Sequence, residues 1–566
     1  MNRISKIGRS QVNARAGAGW ANQIVLLAVL VGIGYVAQAQ DTTKRKTIDI
    51  TSSFKPVLRE AVKINFNAAP PAVDTSRPRL SYNIPAQYLF LNYLPGEMKP
   101  VALQRDSVKP WENYNYIKVG VGNVHIPYIR TGFSFGDGKS TFFNLFANQL
   151  SSKGNQDFQK NSLTDVKFVG TVKTATKLEW NGALGFKNDV YYRYGFRPDT
   201  LKFTSDQLKL TYQTYEGQLS LRNTEPTEFG LLYHPNIKVN VFSSTKNPNA
   251  NEVNTVLNLP LEKTIGDNYA FDLGFTANLT HYHNPLIGAT VDQNNNIFMV
   301  NPAFLVKTSN LFLQAAVTPS WDQKVFHLLP NFLADISTSD QRFTVQLGWI
   351  GYYDKGSYQR FESINPWLGA PDSLLNTRVQ EWYGGFKGSI SNHFSYAAKI
   401  GFQQYKNMAL FVNDSAMNNV FDVRYEPSMD ALQLHGELSY IVGDEFSATA
   451  GVNFYDYRHL KVNAKAYGLL PIEFNTHLKW QAFKDFWAKV DFFAFDGARY
   501  LTADGKAFKG DGGADLNAGV EFKILKQLNL WFQMNNVFNN KYERWHQYPV
   551  YGFNVLGGVV FTFGQR

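Results

Sequence analysis

Cysteine is absent from all 566 residues. Its absence excludes disulfides, thiolate metal sites, cysteine nucleophiles and lipid attachment through an N-terminal cysteine. Long apolar runs are almost absent as well. The exception is residues 24–36 (IVLLAVLVGIGYV), and thirteen residues at 1.5 Å each cover about 20 Å, short of the roughly 30 Å hydrocarbon core of a bilayer. Charge of one sign is scarce. The formal net charge of +10 falls to +6 once residues 1–39, which hold Arg3, Lys6, Arg9 and Arg15 and no acid, are set aside. So small a balance argues against a nucleic-acid partner and suits anionic headgroups or a polar pore. No H-E-x-x-H or G-x-S-x-G sequence occurs, which removes the commonest metalloprotease and hydrolase signatures. The glycine-rich TGFSFGDGKST lacks the spacing of a phosphate loop, because Phe133 stands where the first glycine belongs. Asp137 and Gly138 read as a hairpin turn instead.

Aromatic residues, by contrast, are abundant: 44 Phe, 30 Tyr and 11 Trp make 15 % of the chain. They fall in a two-residue rhythm. In the C-terminal YGFNVLGGVVFTFGQR, Tyr551, Phe553, Val555, Val559, Phe561 and Phe563 share one face of a strand, with Gly552, Asn554, Gly558 and Thr562 on the other. Between Ala514 and Ile524, Leu516, Ala518, Val520, Phe522 and Ile524 oppose Asp515, Asn517, Glu521 and Lys523. Tyr269–Thr280 and Pro471–Gln481 alternate in the same way. A mean hydropathy of −0.28 does not argue against a membrane, since alternation averages the two faces away.

The N-terminus reads as a secretory signal over 1–39, with basic residues, the short apolar run and Ala37-Gln38-Ala39 as a cleavage site, so that the mature chain starts at Gln40. Residues 40–112 form an extended, Pro-rich arm, periplasmic or lumenal, with one short helix in KPVLREAVKI. Pro70, Pro71, Pro78 and Pro85 argue against central strands there. From 113 to 566 strands recur regularly. A soluble sandwich would show the same alternation within a strand, but the links differ: short turns (ILKQ, AFKD, VGDE, ISNH, STSDQ, TSN, IGDN) alternate with long ones, among them residues 407–429 and KGSYQRFESINPWLGAPDSLLN. Bacterial outer-membrane barrels have this asymmetry. Counting hairpins from Tyr114 to Phe563 predicts an all-β, antiparallel transmembrane barrel of about 22 strands, or 18 to 20 if the first hairpin or residues 227–264 fail. So wide a cylinder cannot be filled by its own wall, and its lumen must be occupied or leak.

The closing segment NLWFQMNNVFNNKYERWHQYPVYGFNVLGGVVFTF resembles the last hairpin of TonB-dependent receptors, with Asn536, Phe538, Asn539 and Tyr542 at its start and Phe561 and Phe563 at its end. Tyr542 to Trp545, with Pro549 and Gly552, is similar to Bacteroidota barrels in particular. The resemblance implies a 22-stranded barrel, and its final aromatics (Phe553, Phe561, Phe563) resemble the signal read by the barrel-insertion machinery. Here Gly564, Gln565 and Arg566 follow the last aromatic. Ile48, Asp49, Ile50 and Thr51 faintly resemble a TonB box, whereas the 73 residues from Gln40 to Glu112 are too few for the family's plug domain.

Other candidate chemistry is thin. His281 and His283 flank Tyr282 on one side of a strand end, a spacing able to hold a metal but read more simply as polar tips at the rim. His435 and His477, beside Glu437 and Glu473, fall on the lumenal face, where a Ser-His pair is a minor alternative. No catalytic residue and no cofactor is expected. The expected partners are outer-membrane lipid, the insertion machinery, and TonB or another envelope protein. The expected function is solute transport across the outer membrane, gated by the arm and by inward-folding loops such as 407–429; the alternative is an assembly component without transport.

Overall fold

The computed structural model describes residues 114–196, 200–245, 249–286, 289–413, 419–502 and 504–564. The stretches read as signal sequence (1–39) and arm (40–112), and the TonB-box-like Ile48–Thr51, lie outside them. Every pairing between neighbouring strands is antiparallel, and the first strand, Tyr114–Gly122, pairs with the last, Asn554–Gly564, from Tyr114 opposite Gly564 to Gly122 opposite Leu556. The sheet therefore closes on itself as a barrel of 22 staves. Both doubtful regions contribute. The first hairpin is Tyr114–Gly122 with His125–Phe135, and Asn236–Thr245 crosses between Lys209–Asn223 and Asn251–Ile265.

The two-residue rhythm turns apolar side chains outward. Phe271, Phe275 and Leu279 are exposed on Tyr269–Leu286, as are Val520, Phe522 and Ile524 on Gly513–Leu525 and Phe561 on the last strand, while Asp515, Glu521, Asn554 and Thr562 are buried on the inner side. Across four neighbouring strands Phe332, Trp349, Trp382 and Phe402 stand opposite one another with ring centroids 5.6, 6.2 and 6.0 Å apart. Such a row of aromatic rings is the girdle expected where a barrel meets a lipid interface. The inner wall is cross-linked by polar groups instead. Lys399 Nζ lies 2.5 Å from Glu381 Oε1, and Gln403 donates to Gln433 at 3.0 Å, which donates to Tyr455 at 2.9 Å.

The turns at one end are short. In that after Phe135, Asp137 accepts from the Ser140 hydroxyl at 2.5 Å and from the backbone N–H groups of Lys139, Ser140 and Thr141 at 2.9, 2.8 and 2.7 Å, which pulls its carboxyl well below the usual range. The amide nest that a phosphate would need is filled by the protein's own carboxylate. At the other end stand the long links 193–208, 355–376, 459–471, 496–512 and 536–553.

Residues 407–429 are a correction. They are not an inward-folding loop: Phe394–Asn413 and Phe421–Val442 are long strands that stay paired up to Asn413 opposite Phe421. The run MALFV lost its alternation because both faces are covered, Ala409 and Phe411 by the loops filling the mouth and Leu410 and Val412 by Ala466, Tyr467 and Leu469.

Candidate functional site, the loop-capped lumen

The inward loop is 355–376. Ser357 caps a short helix, Tyr358–Ile364, by accepting from Arg360 N at 3.3 Å, and the helix start is pinned to the wall by Glu252. The buried Glu252 carboxylate accepts from Ser357 Oγ and from Tyr358 N, both at 2.6 Å. Charge-assisted bonds of this kind satisfy two donors that the helix cannot satisfy itself. Tyr358 then stands edge-on to Tyr212, Phe242 and Tyr282 at 6.4, 5.2 and 6.0 Å. Wall side chains hold the rest of the loop by its carbonyls: Tyr212 donates to Pro366 O at 2.9 Å, Tyr282 to Pro371 O at 2.7 Å and Gln293 to Leu374 O at 2.7 Å.

Loop 536–553 meets it from the opposite side. Tyr548 stacks on Trp367 at 4.0 Å and 23°, and donates to Asn419 O at 2.5 Å. Trp545 stands edge-on to Phe411 and Phe421 at 5.4 and 5.3 Å. Each such ring pair contributes about 0.5–1.5 kcal/mol beyond the area it buries. Together the two loops give the mouth a dry aromatic core rather than a mobile fringe.

Beneath this lid lies a cavity of about 800 Å³. Its ceiling includes Phe361, Phe411 and Leu469, and its walls descend past Asn453 and His477 to Lys479 and Lys489. Arg544 projects from the ceiling, only 7 % exposed. Its guanidinium stacks on Trp545 at 4.2 Å and donates through Nη2 to Gly468 O at 3.0 Å, while Nη1 has no hydrogen-bond partner among the described residues. Burial draws its pKa down to about 10 against the opposing pull of Glu473 and Tyr457. Arg360, paired with Asp354, also lines the cavity and leaves Nε unpartnered.

The residues singled out in the sequence are scattered. Phe561 and Phe563 lie 5.6 Å apart at the short-turn end, but Phe553 stands just before the other end of their strand, in the link that leads into it. His477 pairs with Asp491 at 2.7 Å, and His435 contacts Asn453 at 2.7 Å and Glu437 at 3.9 Å. A Ser-His contact does exist elsewhere, His125 with Ser152 at 2.6 Å, yet the other neighbour of that ring is Asn554 rather than the carboxylate a triad requires. The sequence reading missed Arg544 and Glu252. Arg544 stands in the Tyr-Glu-Arg-Trp segment that carried the resemblance, but nothing in its neighbours told that it points inward.

No family model matches the sequence, and no curated protein is matched by it. Solved structures do match. The barrel is similar to the FrpB iron transporter of Neisseria meningitidis, with a TM-score of 0.62 at 11 % identity over 80 % of this chain and 82 % of that one. It is also similar to the ferric enterobactin receptor PfeA of Pseudomonas aeruginosa, at 0.59 and 10 % over 80 % and 81 %. The siderophore receptor PirA of the same organism gives 0.55 and 11 % over 81 % of each chain. The fold is thus that of TonB-dependent receptor barrels.

Proposed function

We propose that this chain is an outer-membrane transport barrel whose solute is held in the cavity under the loop lid. One observation carries the reading. The buried Arg544 guanidinium, whose Nη1 has no hydrogen-bond partner among the described residues, belongs to the lining of a chamber large enough for a small molecule. The similar solved proteins are an iron transporter and siderophore receptors, which supports transport over catalysis. A finer reading is a Bacteroidota-type barrel in which the two lid loops, packed on one another across the mouth, do the work of a plug domain.

Purified barrel in planar bilayers and in solute-loaded liposomes tests it. Solute-dependent flux, weakened when Arg544 is replaced by Gln, is the expected result. A second reading, an assembly component without transport, is favoured by the dry packing of the lid. It prevails if the intact barrel passes no solute and co-purifies with a fixed partner.

A further inference from the structure

At the foot of the chamber the inner faces of five neighbouring strands form one row, Ser447, Lys479, Lys489, Gly519 and Gln533, each opposite the next in register. Two lysines thus stand side by side, and the row holds no carboxylate. Register partners bring their Cβ atoms to about 4.5–5.5 Å, so like charges placed there repel and weaken the wall. Both side chains are half-buried and both line the chamber. Among the described residues the Lys479 ammonium has no hydrogen-bond or ion-pair partner. The neighbouring carboxylates are engaged: Asp491, one step up the wall, pairs with His477 at 2.7 Å, while Glu521, one step down, accepts from Asn529 at 2.6 Å and lies 3.7 Å from Lys118. Lys118, Lys479 and Arg130 all repel Lys489, and Asp491 attracts it.

We infer that Lys479 and Lys489 form the recognition site for an oxyanionic group, a carboxylate or a phosphoryl, on the solute of this chamber. The inference rests on the transport reading above and names the class of its solute. Neutral polar residues such as Ser447 and Gln533 line the same row without repulsion, so the wall itself has no need of the lysine pair. An oxyanion seated between the two ammoniums turns that repulsion into charge-assisted hydrogen bonds, which the partly enclosed wall strengthens. Each ammonium is a point charge with three rotatable donors, and it suits carboxylate and phosphoryl oxygens alike.

Titration calorimetry of the intact, detergent-solubilised barrel at low ionic strength tests the site, with citrate and inorganic phosphate as charged probes and sucrose as an uncharged one. Both anions should bind, more weakly as salt is raised, and sucrose should not. The Lys479→Gln/Lys489→Gln double variant should bind citrate about tenfold or more weakly, since it loses both charge-assisted bonds. Lys238→Gln removes a lumenal lysine already held by Glu216 at 3.0 Å, and should leave citrate affinity unchanged. Retention of the folded, heat-sensitive gel band shows that each variant is intact. A parent barrel that binds neither anion, or equal citrate affinity in parent and double variant, overturns the site. Flux of an uncharged solute without anion binding overturns this inference and leaves transport standing, whereas anion binding without any flux overturns transport and leaves the lysine pair standing as an anion site.

Discussion

The indole of Trp531 lies over Gly120: it crosses Gly558, its register partner on the last strand, and donates Nε1–H to Val119 O at 3.1 Å on the first. One side chain thereby bridges the penultimate, final and first strands, with Lys118 over its face at 4.2 Å and Tyr128 beside it at 5.2 Å. A Cβ on Gly120 would run into the indole, and one on Gly558 into Val119 O. Trp531→Ala is expected to cost about 3–5 kcal/mol, as for other buried tryptophans. Gly120→Ala should weaken closure in the parent and do less harm alongside Trp531→Ala, a coupling that urea unfolding followed by gel mobility measures. Additive effects would mean that the indole does not clamp the seam.

Removing the inward loop should unseal the mouth. With residues 358–372 replaced by a short Gly-Ser link, single-channel conductance is expected to rise about tenfold over the intact barrel, because a 22-stave wall is too wide for its own side chains to close. Tyr548→Ala, which removes the stack on Trp367, should give intermittent openings instead.

Glu252 is the lid's anchor. Its replacement by Ala leaves Ser357 Oγ and Tyr358 N without their buried acceptor, a loss of about 1–3 kcal/mol for each donor stranded. Limited proteolysis of the folded barrel should then cut within 355–376. Glu252→Gln, which keeps one acceptor oxygen, should cut more slowly.

The lid also carries a pH dependence. Burial pushes the Glu362 carboxyl well above its usual range, and Asp189 nearby pushes the same way against Lys187. The closed lid therefore binds a proton more tightly than the open chain does, so its stability is greatest below the ordinary carboxyl pKa of about 4.3 and declines as pH rises toward the raised value. Glu362→Gln should remove that decline and make the lid harder to cleave at neutral pH. An identical proteolysis profile for parent and variant between pH 4 and 9 would contradict this.

Much of the wall was legible in the sequence, because one physical rule governs it. Wherever lipid lies outside and water inside, the strand must alternate, as Phe271, Phe275 and Leu279 do. The stave count followed from the alternation together with the short turns. The lid obeys no such rule. Trp367, Tyr548 and Phe411 come from separate links, and aromatic residues in a loop read the same whether they face solvent, lipid or one another. Where a strand is covered on both sides, as at Leu410–Val412, the alternation vanishes and the text looks like a loop. The lysine pair left no mark either, since only strand register brings Lys489 opposite Lys479.

The stack of Tyr548 on Trp367 also sets an order of events. The two rings belong to links far apart in the chain, and the later one is part of the hairpin that completes the cylinder. Until that hairpin has joined, the half that carries Trp367 has nothing to rest against. The seal over the mouth is therefore a property of the closed ring of staves, which neither half makes alone.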